Sequence, residues 1–220
     1  MKIAASIMCA NQLALKEELE KLEKANVDIL HCDVMDGIFV NNLAMGPYAL
    51  EYIKKETSIP LDIHLATIDP GKYIEMYSHI KPEYISFHFE ASDDVERDIQ
   101  MIKDAGIKVS IAISPQTPVE VLEKYLDKID MILMMTVNPG FAGQKFNMGV
   151  LKKLDKLKKM TAHMDKRPIV EVDGNINPDT IAMMDRDIVD VYVLGTSALF
   201  REDGKTYSEK VDIIKSAVMK

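Results

Sequence analysis

Cysteine is scarce in this sequence, with two residues, Cys9 and Cys32, among 220. Two cysteines cannot form the disulfide framework that stabilises small secreted domains. Cys32 lies within an apolar stretch, where a small buried thiol packs well. We therefore assign neither cysteine a redox role.

Long apolar runs and an excess of basic residues are also lacking. No run of about 18 apolar residues occurs, and the amino terminus has no apolar segment with a cleavage site. We expect a cytoplasmic protein without a membrane partner. The net charge of −8 argues against nucleic acid as a partner, although a local basic pocket for a phosphate is compatible with it.

The composition is that of a globular domain. Hydrophobic residues make up 47% of the chain and charged residues 28%, which is enough apolar material for one substantial core. The length also falls within the usual size of one domain. We expect a single domain over residues 1–220.

Strand and helix patterns alternate along the chain. Apolar stretches predict eight strands, over residues 2–9, 29–34, 60–64, 84–87, 108–113, 131–136, 169–172 and 191–194. Helical patterns follow them, over 12–24, 48–56, from 70 onward, 94–105, 114–126, 148–160, 177–185 and 207–219. Such strands, apolar enough to be covered on both faces, predict an α/β protein with a parallel eight-stranded (β/α)8 TIM barrel. An open doubly wound sheet is the alternative.

Ionisable residues occur in pairs near the ends of three predicted strands. His31 and Asp33 are two residues apart, so in a strand their side chains leave the same face, while Cys32 points the other way. The same spacing recurs at Asp62 and His64 and at Glu171 and Asp173. In a barrel, active residues sit at the carboxyl ends of the strands, where His31, Asp33, His64, His88 and Asp173 all fall.

Each pair taken alone has an ordinary structural explanation. A histidine on an apolar strand is usually a core residue with its hydrogen bonds satisfied, and a carboxylate before glycine is often a turn residue. Two histidines and two aspartates at the ends of different strands are harder to explain as separate ion pairs, because buried charges need partners. A shared cation would satisfy all four.

Glycine-rich segments follow the late strands. They are residues 138–144, Gly174 with Asn175, and residues 194–197. Glycine after a strand is ordinary in turns. Barrels nevertheless often bind phosphate with backbone N–H groups of the loops after strands seven and eight. Because these segments lie beside the ionisable cluster, we predict a phosphate site.

The motifs occur together in the order found in one known family. They are Ser6-Ile-Met, His31-Cys-Asp-Val-Met-Asp-Gly37, His64-Leu, residues 135–144, Glu171-Val-Asp-Gly174 and Gly195-Thr196. The chain resembles the ribulose-phosphate 3-epimerase family throughout its length. Within that family, the amino-acid sequence at residues 6–9, 135–143 and 195–200 is most similar to that of the D-allulose-6-phosphate 3-epimerases.

This resemblance implies a metal site and a substrate site. One divalent metal (Zn, Fe, Co or Mn) would be bound by His31, Asp33, His64 and Asp173. Asp33 and Asp173 would also exchange protons with the substrate. The remaining substrate contacts would come from Ser6, His64, Met35, Met135, Gly140, Phe141, Ala142, Gly143, Gly174, Asn175, Gly195 and Thr196. A homo-oligomer, either dimer or hexamer, is expected.

The implied reaction is inversion of C3 of a phosphorylated ketose through an enediolate. We expect D-allulose 6-phosphate and D-fructose 6-phosphate as the substrate pair. The alternatives are D-ribulose 5-phosphate with D-xylulose 5-phosphate, and a barrel that binds sugar phosphates without catalysis. The chain is not similar to decarboxylases of the orotidine-monophosphate type, because the run from Asp33 to Asp36 contains no lysine.

Two residues depart from the family pattern. Ala66 replaces the usual Met after His-Leu, and Asn41 replaces the usual Pro in Val-Pro-Asn. We expect Ala66 to widen a pocket lined by Met35 and Met135, unless helix packing fills the gap. The missing proline should loosen the loop over the site.

Overall fold

The computed structural model describes residues 1–219 and contains a closed parallel barrel. Its eight strands follow one another in chain order, and β1 pairs with β8. The strands are β1 (Lys2–Ser6), β2 (Ile29–Met35), β3 (Leu61–Ala66), β4 (Tyr84–His88), β5 (Lys108–Ile113), β6 (Met131–Met135), β7 (Ile169–Asp173) and β8 (Val191–Leu194). The predicted (β/α)8 barrel is confirmed, and closure through β1 and β8 excludes the open sheet.

Helices cover the outside of the barrel. The α-helices are α1 (Leu15–Lys24), α2 (Pro47–Glu56), α3 (Pro70–Ser78), α4 (Val95–Asp104), α5 (Gly149–Thr161), α6 (Pro178–Ile181) and α7 (Tyr207–Met219). Within residues 1–219, no helix combines the length and the apolar character that a membrane crossing requires.

Three segments differ from the predicted secondary structure. The helix expected over 114–126 is a 3-10 helix, Val119–Tyr125, because Pro115 and Pro118 provide no N–H and Pro118 is held extended. Helix α6 is shorter than predicted, since the chain leaves it in i→i+3 turns such as Met184 N–H to the Ile181 carbonyl, 3.1 Å. Strand β1 ends at Ser6, where Ile7–Cys9 forms a 3-10 turn.

Alternation along β2 separates the core from the site. Leu30, Cys32 and Val34 belong to the large apolar core that also includes helix residues such as Leu22. His31 and Asp33 lie on the opposite face of the strand, inside the barrel. In register, His31 is opposite Asp62 and Asp33 is opposite His64, so β2 and β3 together present four ionisable side chains.

Candidate active site at the carboxyl ends of the strands

Four side chains from β2, β3 and β7 converge inside the barrel. His31, Asp33, His64 and Asp173 each offer one ligand atom, and these atoms lie within 4.8 Å of one another. His31 is fully buried, His64 is 1% exposed and Asp33 is 4% exposed. The cluster that the sequence predicts therefore exists as a compact and almost dry group.

Asp33 is the centre of this cluster. Its Oδ2 accepts a hydrogen bond from Ser6 Oγ at 3.1 Å. Its Oδ1 lies 3.0 Å from His64 Nδ1 and 3.5 Å from His31 Nε2. One carboxylate thus contacts both histidines and the hydroxyl of β1.

The hydrogen bonding of the two ring nitrogens of His31 shows whether a metal fits this site. Its Nδ1 lies 2.8 Å from Asp62 Oδ2, and its Nε2 is buried with no hydrogen-bond partner. A carboxylate accepts only, so Nδ1 donates to Asp62 and Nε2 is left facing the cluster, where it can carry a proton or, as a neutral imidazole, bind a metal. This arrangement, together with the mixed nitrogen and oxygen donors, fits a divalent metal. The buried cluster could hold one such ion.

The two acidic residues of the cluster have different proton affinities. For Asp33, burial alone would raise the pKa, but while no metal is bound the positive charge of protonated His31 and the hydrogen bonds with His31 and His64 hold it well below the usual range. For Asp173, burial raises the pKa to about 7, the charge of His31 opposes this, and the charge of Asp33 adds to it. At a pH between these two pKa values, Asp33 is therefore ionised while Asp173 still binds a proton.

A further carboxyl lies deeper in the barrel. Glu171 is fully buried, and neither of its oxygens accepts a hydrogen bond. Burial first, and the charge of Asp62 second, hold the pKa of Glu171 well above its usual range. Glu171 thus lies close to Asp62, the carboxylate that orients His31.

The loops after β6 and β7 meet at one side of the cavity. Gly174 has φ of +120°, and a Cβ there would lie 2.4 Å from Val137 Cγ2. Gly140 has φ of +119°, and a Cβ there would lie 3.0 Å from Val40 Cβ. These two glycines allow the loops after β2, β6 and β7 to approach closely.

All twelve predicted substrate-binding residues line a single cavity above the cluster. They are Ser6, Met35, His64, Met135, Gly140, Phe141, Ala142, Gly143, Gly174, Asn175, Gly195 and Thr196. Asp33 and Asp173 line it as well, whereas His31 lies fully buried outside that lining. Their roles toward a substrate remain predictions.

Sequence reasoning missed some residues of the site. Met8, Cys9, Val137 and Val193 also line the cavity. The 3-10 turn after β1 brings Met8 and Cys9 there, and the sequence pattern suggested a continuous strand. The spacing pairs Asp62 with His64 but does not predict its contact with His31, and Glu90, which contacts His88, was missed.

The two departures from the family pattern lie in different surroundings. Ala66 is fully buried in a cluster with Met35 and Val40 and does not itself line the cavity, so a wider pocket stays a prediction. The loop that carries Asn41 is anchored, because Asp36 accepts hydrogen bonds from Ile38 N–H and Ile68 N–H, both at 2.8 Å. Loosening by Asn41 stays a prediction.

The fold is that of a (β/α)8 barrel with a cavity at its mouth beside a cluster suited to a cation. Solved structures share this fold at low identity. A 3-hexulose-6-phosphate synthase matches with a TM-score of 0.72 and 15% identity over 99% of both chains. A phosphoribosyl anthranilate isomerase from Thermus thermophilus matches with a TM-score of 0.66 and 14% identity over 100% of this chain and 98% of the other.

Sequence comparison is more specific than the fold. The model of the ribulose-phosphate 3-epimerase family matches residues 2–200. A ribulose-phosphate 3-epimerase from Bacillus subtilis is 38% identical over 93% of this chain and 95% of its own length. Ribulose-phosphate 3-epimerase 2 from Cupriavidus necator is 40% identical over 91% of this chain and 84% of its own length. The chain belongs to the ribulose-phosphate 3-epimerase family and is an isomerase.

Proposed function

We propose that this enzyme interconverts D-ribulose 5-phosphate and D-xylulose 5-phosphate by inverting C3. The observation that carries the proposal is the pair of carboxyl groups, Asp33 and Asp173, that face one cavity within the same compact cluster. The relatives named ribulose-phosphate 3-epimerase, at 38% and 40% identity, support the pentose substrate.

Inversion at C3 requires one proton to leave and another to arrive on the opposite face. Asp33 comes from β2 and Asp173 from β7, strands that are separated in the closed barrel by β1 and β8. A substrate carbon held between them would have one carboxyl on each side. Each carboxyl serves one epimer as the base and the other as the acid. A protein that only binds sugar phosphates has no need of such a pair.

His31, Asp33, His64 and Asp173 would hold one divalent metal. The donor set suits Zn, Fe, Co or Mn. The bound metal supplies positive charge that stabilises the oxyanion formed when the C3 proton leaves. Ser6 keeps Asp33 oriented through the 3.1 Å hydrogen bond to Oδ2.

The phosphate would be bound at the glycine-rich side of the cavity. Gly140, Gly143, Gly174 and Gly195 line that side together with Thr196. Glycine backbones can approach an anion closely, and N–H groups at such loops are suited to phosphate oxygens. With the phosphate bound on that side, the reacting end of the ketose would face the two carboxyls.

The substrate test compares two ketose phosphates. The metal-supplemented enzyme is assayed with D-ribulose 5-phosphate and with D-allulose 6-phosphate. The proposal predicts that kcat/KM is higher for the pentose by at least about tenfold, a usual cost of one misfitted carbon unit. Preference for the hexose would make the protein an allulose-6-phosphate epimerase. Failure to turn over any ketose phosphate would favour a binding protein.

The oligomeric state is a second proposal. Tyr48 and Tyr52 lie one turn apart on α2 and are 77% and 67% exposed. Two large apolar side chains on one helix face are typical of a subunit contact. We propose a homo-oligomer, a dimer or a hexamer, that uses this face. Light scattering of the wild type and of Tyr48→Glu tests it, with a shift toward monomer expected in the variant.

A further inference from the structure

A chain of three side chains extends outward from His64. His64 Nε2 lies 3.0 Å from His88 Nε2, and His88 Nδ1 lies 3.0 Å from Glu90 Oε2. His88 is fully buried and lies at the end of β4. Neither His88 nor Glu90 belongs to the four-residue metal cluster.

Glu90 is fixed at the outer end of this chain. Its Oε1 accepts a hydrogen bond from Ser114 N–H at 2.7 Å and another from the Thr117 hydroxyl. Burial alone would raise the pKa of Glu90, but the hydrogen bond with His88, followed by those from Thr117 and Ser114, lowers it to about 2. Glu90 is therefore an acceptor toward His88.

Because the Glu90 carboxylate can only accept, it fixes which atom donates in each hydrogen bond between Glu90, His88 and His64. Because a carboxylate cannot donate, His88 Nδ1 carries the proton of that bond. Neutral His88 then accepts at Nε2, so His64 donates from its own Nε2. When His64 is neutral, as a metal ligand must be, its lone pair is therefore left on Nδ1, which faces Asp33 Oδ1 at 3.0 Å.

Two separate chains therefore direct histidine lone pairs at the same carboxylate. Asp62 orients the lone pair of His31, and Glu90 orients the lone pair of His64 through His88. Three acceptor atoms that face one another are unfavourable unless a cation lies among them. We propose that His88 and Glu90 are positioning residues that keep His64 in the tautomer with Nδ1 free to bind the metal.

This inference rests on the metal site of the proposed function. Outer partners that orient histidine ligands affect metal affinity by about 10–100-fold. Neither His88 nor Glu90 contacts an atom that would bind the metal, because His88 contacts His64 at Nε2 and not at Nδ1. They are expected to control metal affinity without contributing a ligand.

Glu90→Gln reverses the chain without removing a metal ligand. The amide oxygen is expected to stay with Ser114 N–H and Thr117, so the amide NH2 faces His88 Nδ1. His88 must then accept at Nδ1 and donate from Nε2, and His64 receives that bond at Nε2. The proton of neutral His64 is thereby moved to Nδ1, where it blocks metal binding.

Glu51→Gln is the matched control. Glu51 Oε1 pairs with His79 Nε2 at 2.8 Å, and His79 is exposed and distant in sequence from the cluster. Zinc dissociation constants are measured by competition with a chelator at fixed pH. We expect zinc to bind about 10–100-fold more weakly to Glu90→Gln and with unchanged affinity to Glu51→Gln.

Two substitutions at His88 provide an independent comparison. The side-chain carbonyl of His88→Gln can still accept from His64 Nε2–H, whereas His88→Leu cannot. We expect His88→Gln to bind zinc more tightly than His88→Leu. This comparison decides the question even if Glu90→Gln does not fold.

Nitrogen NMR of the zinc-loaded wild type reads the tautomers directly. The expected spectrum has His64 bound through Nδ1 with its proton on Nε2, and His88 protonated on Nδ1. Zinc bound through His64 Nε2, or equal zinc affinities across these variants, would overturn the inference alone. A wild type that binds no divalent metal would overturn the metal site as well.

Discussion

Asn42 Nδ2 donates a 2.7 Å hydrogen bond to the carbonyl oxygen of Gly140, which ties the loop after β2 to the loop after β6 across the mouth of the cavity. Asn42→Ala should raise KM for the ketose phosphate by about three- to tenfold, the equivalent of one lost hydrogen bond. Metal content should not change. Steady-state kinetics check this, with exposed Asn41→Ala as the neighbouring control. Equal effects of the two substitutions would rule out a specific role for the tie.

Metal removal should separate activity from folding. The large apolar core between strands and helices includes buried residues from β1 to α7, and it does not depend on the cation cluster. Chelation is therefore expected to abolish epimerisation while the far-UV circular dichroism spectrum stays unchanged. Loss of helical signal on chelation would contradict this expectation.

Histidine substitutions should distinguish the cluster from the rest of the chain. His64→Ala removes a buried donor atom and should lower bound metal and turnover together. His79 and His163 are both exposed, so His79→Ala and His163→Ala should change neither quantity. Metal analysis and activity assays on the three purified variants give the comparison. If all three lost metal to the same extent, the site would not be the cluster described.

Gly174→Ala should destabilise the loop after β7. Its Cβ would lie 2.4 Å from Val137 Cγ2 and 2.8 Å from Val137 N, in addition to the strain of φ at +120°. Gly204→Ala is the control, because Gly204 has φ of +77° with nothing within 4 Å of the added Cβ. We expect Gly204→Ala to cost about 1–2 kcal/mol and Gly174→Ala clearly more. Urea unfolding measures both, and equal losses would show that the Val137 contact is unimportant.

Local spacing was enough to predict the fold and the inner cluster. The alternation of His31, Cys32 and Asp33 fixes which side chains enter the barrel, because strand geometry has a period of two residues. The order of eight strands and helices then brings distant strand ends to one mouth.

The outer part of the site depends on contacts that spacing does not contain. Asp62 reaches His31 across neighbouring strands, and Glu90 reaches His88 from the 3-10 turn after β4. The spacing of Asp62 relates it to His64 on its own strand rather than to His31, and Glu90 looks like an ordinary carboxylate in the sequence. The burial of Ala66 could not be predicted from spacing either, because it results from packing against Met35 and Val40.

The central claim is that Asp33 and Asp173 act on opposite faces of one substrate carbon. A single turnover in heavy water, with enzyme in excess over ketose phosphate, tests it most directly. The proton taken by one carboxyl is not the one that the other returns, so the product should carry solvent deuterium at C3. Mass spectrometry or NMR of the isolated product measures this label. A product that retains its original hydrogen at C3 would show that one group carries the same proton across, and the mechanism with two opposed carboxyls would be wrong.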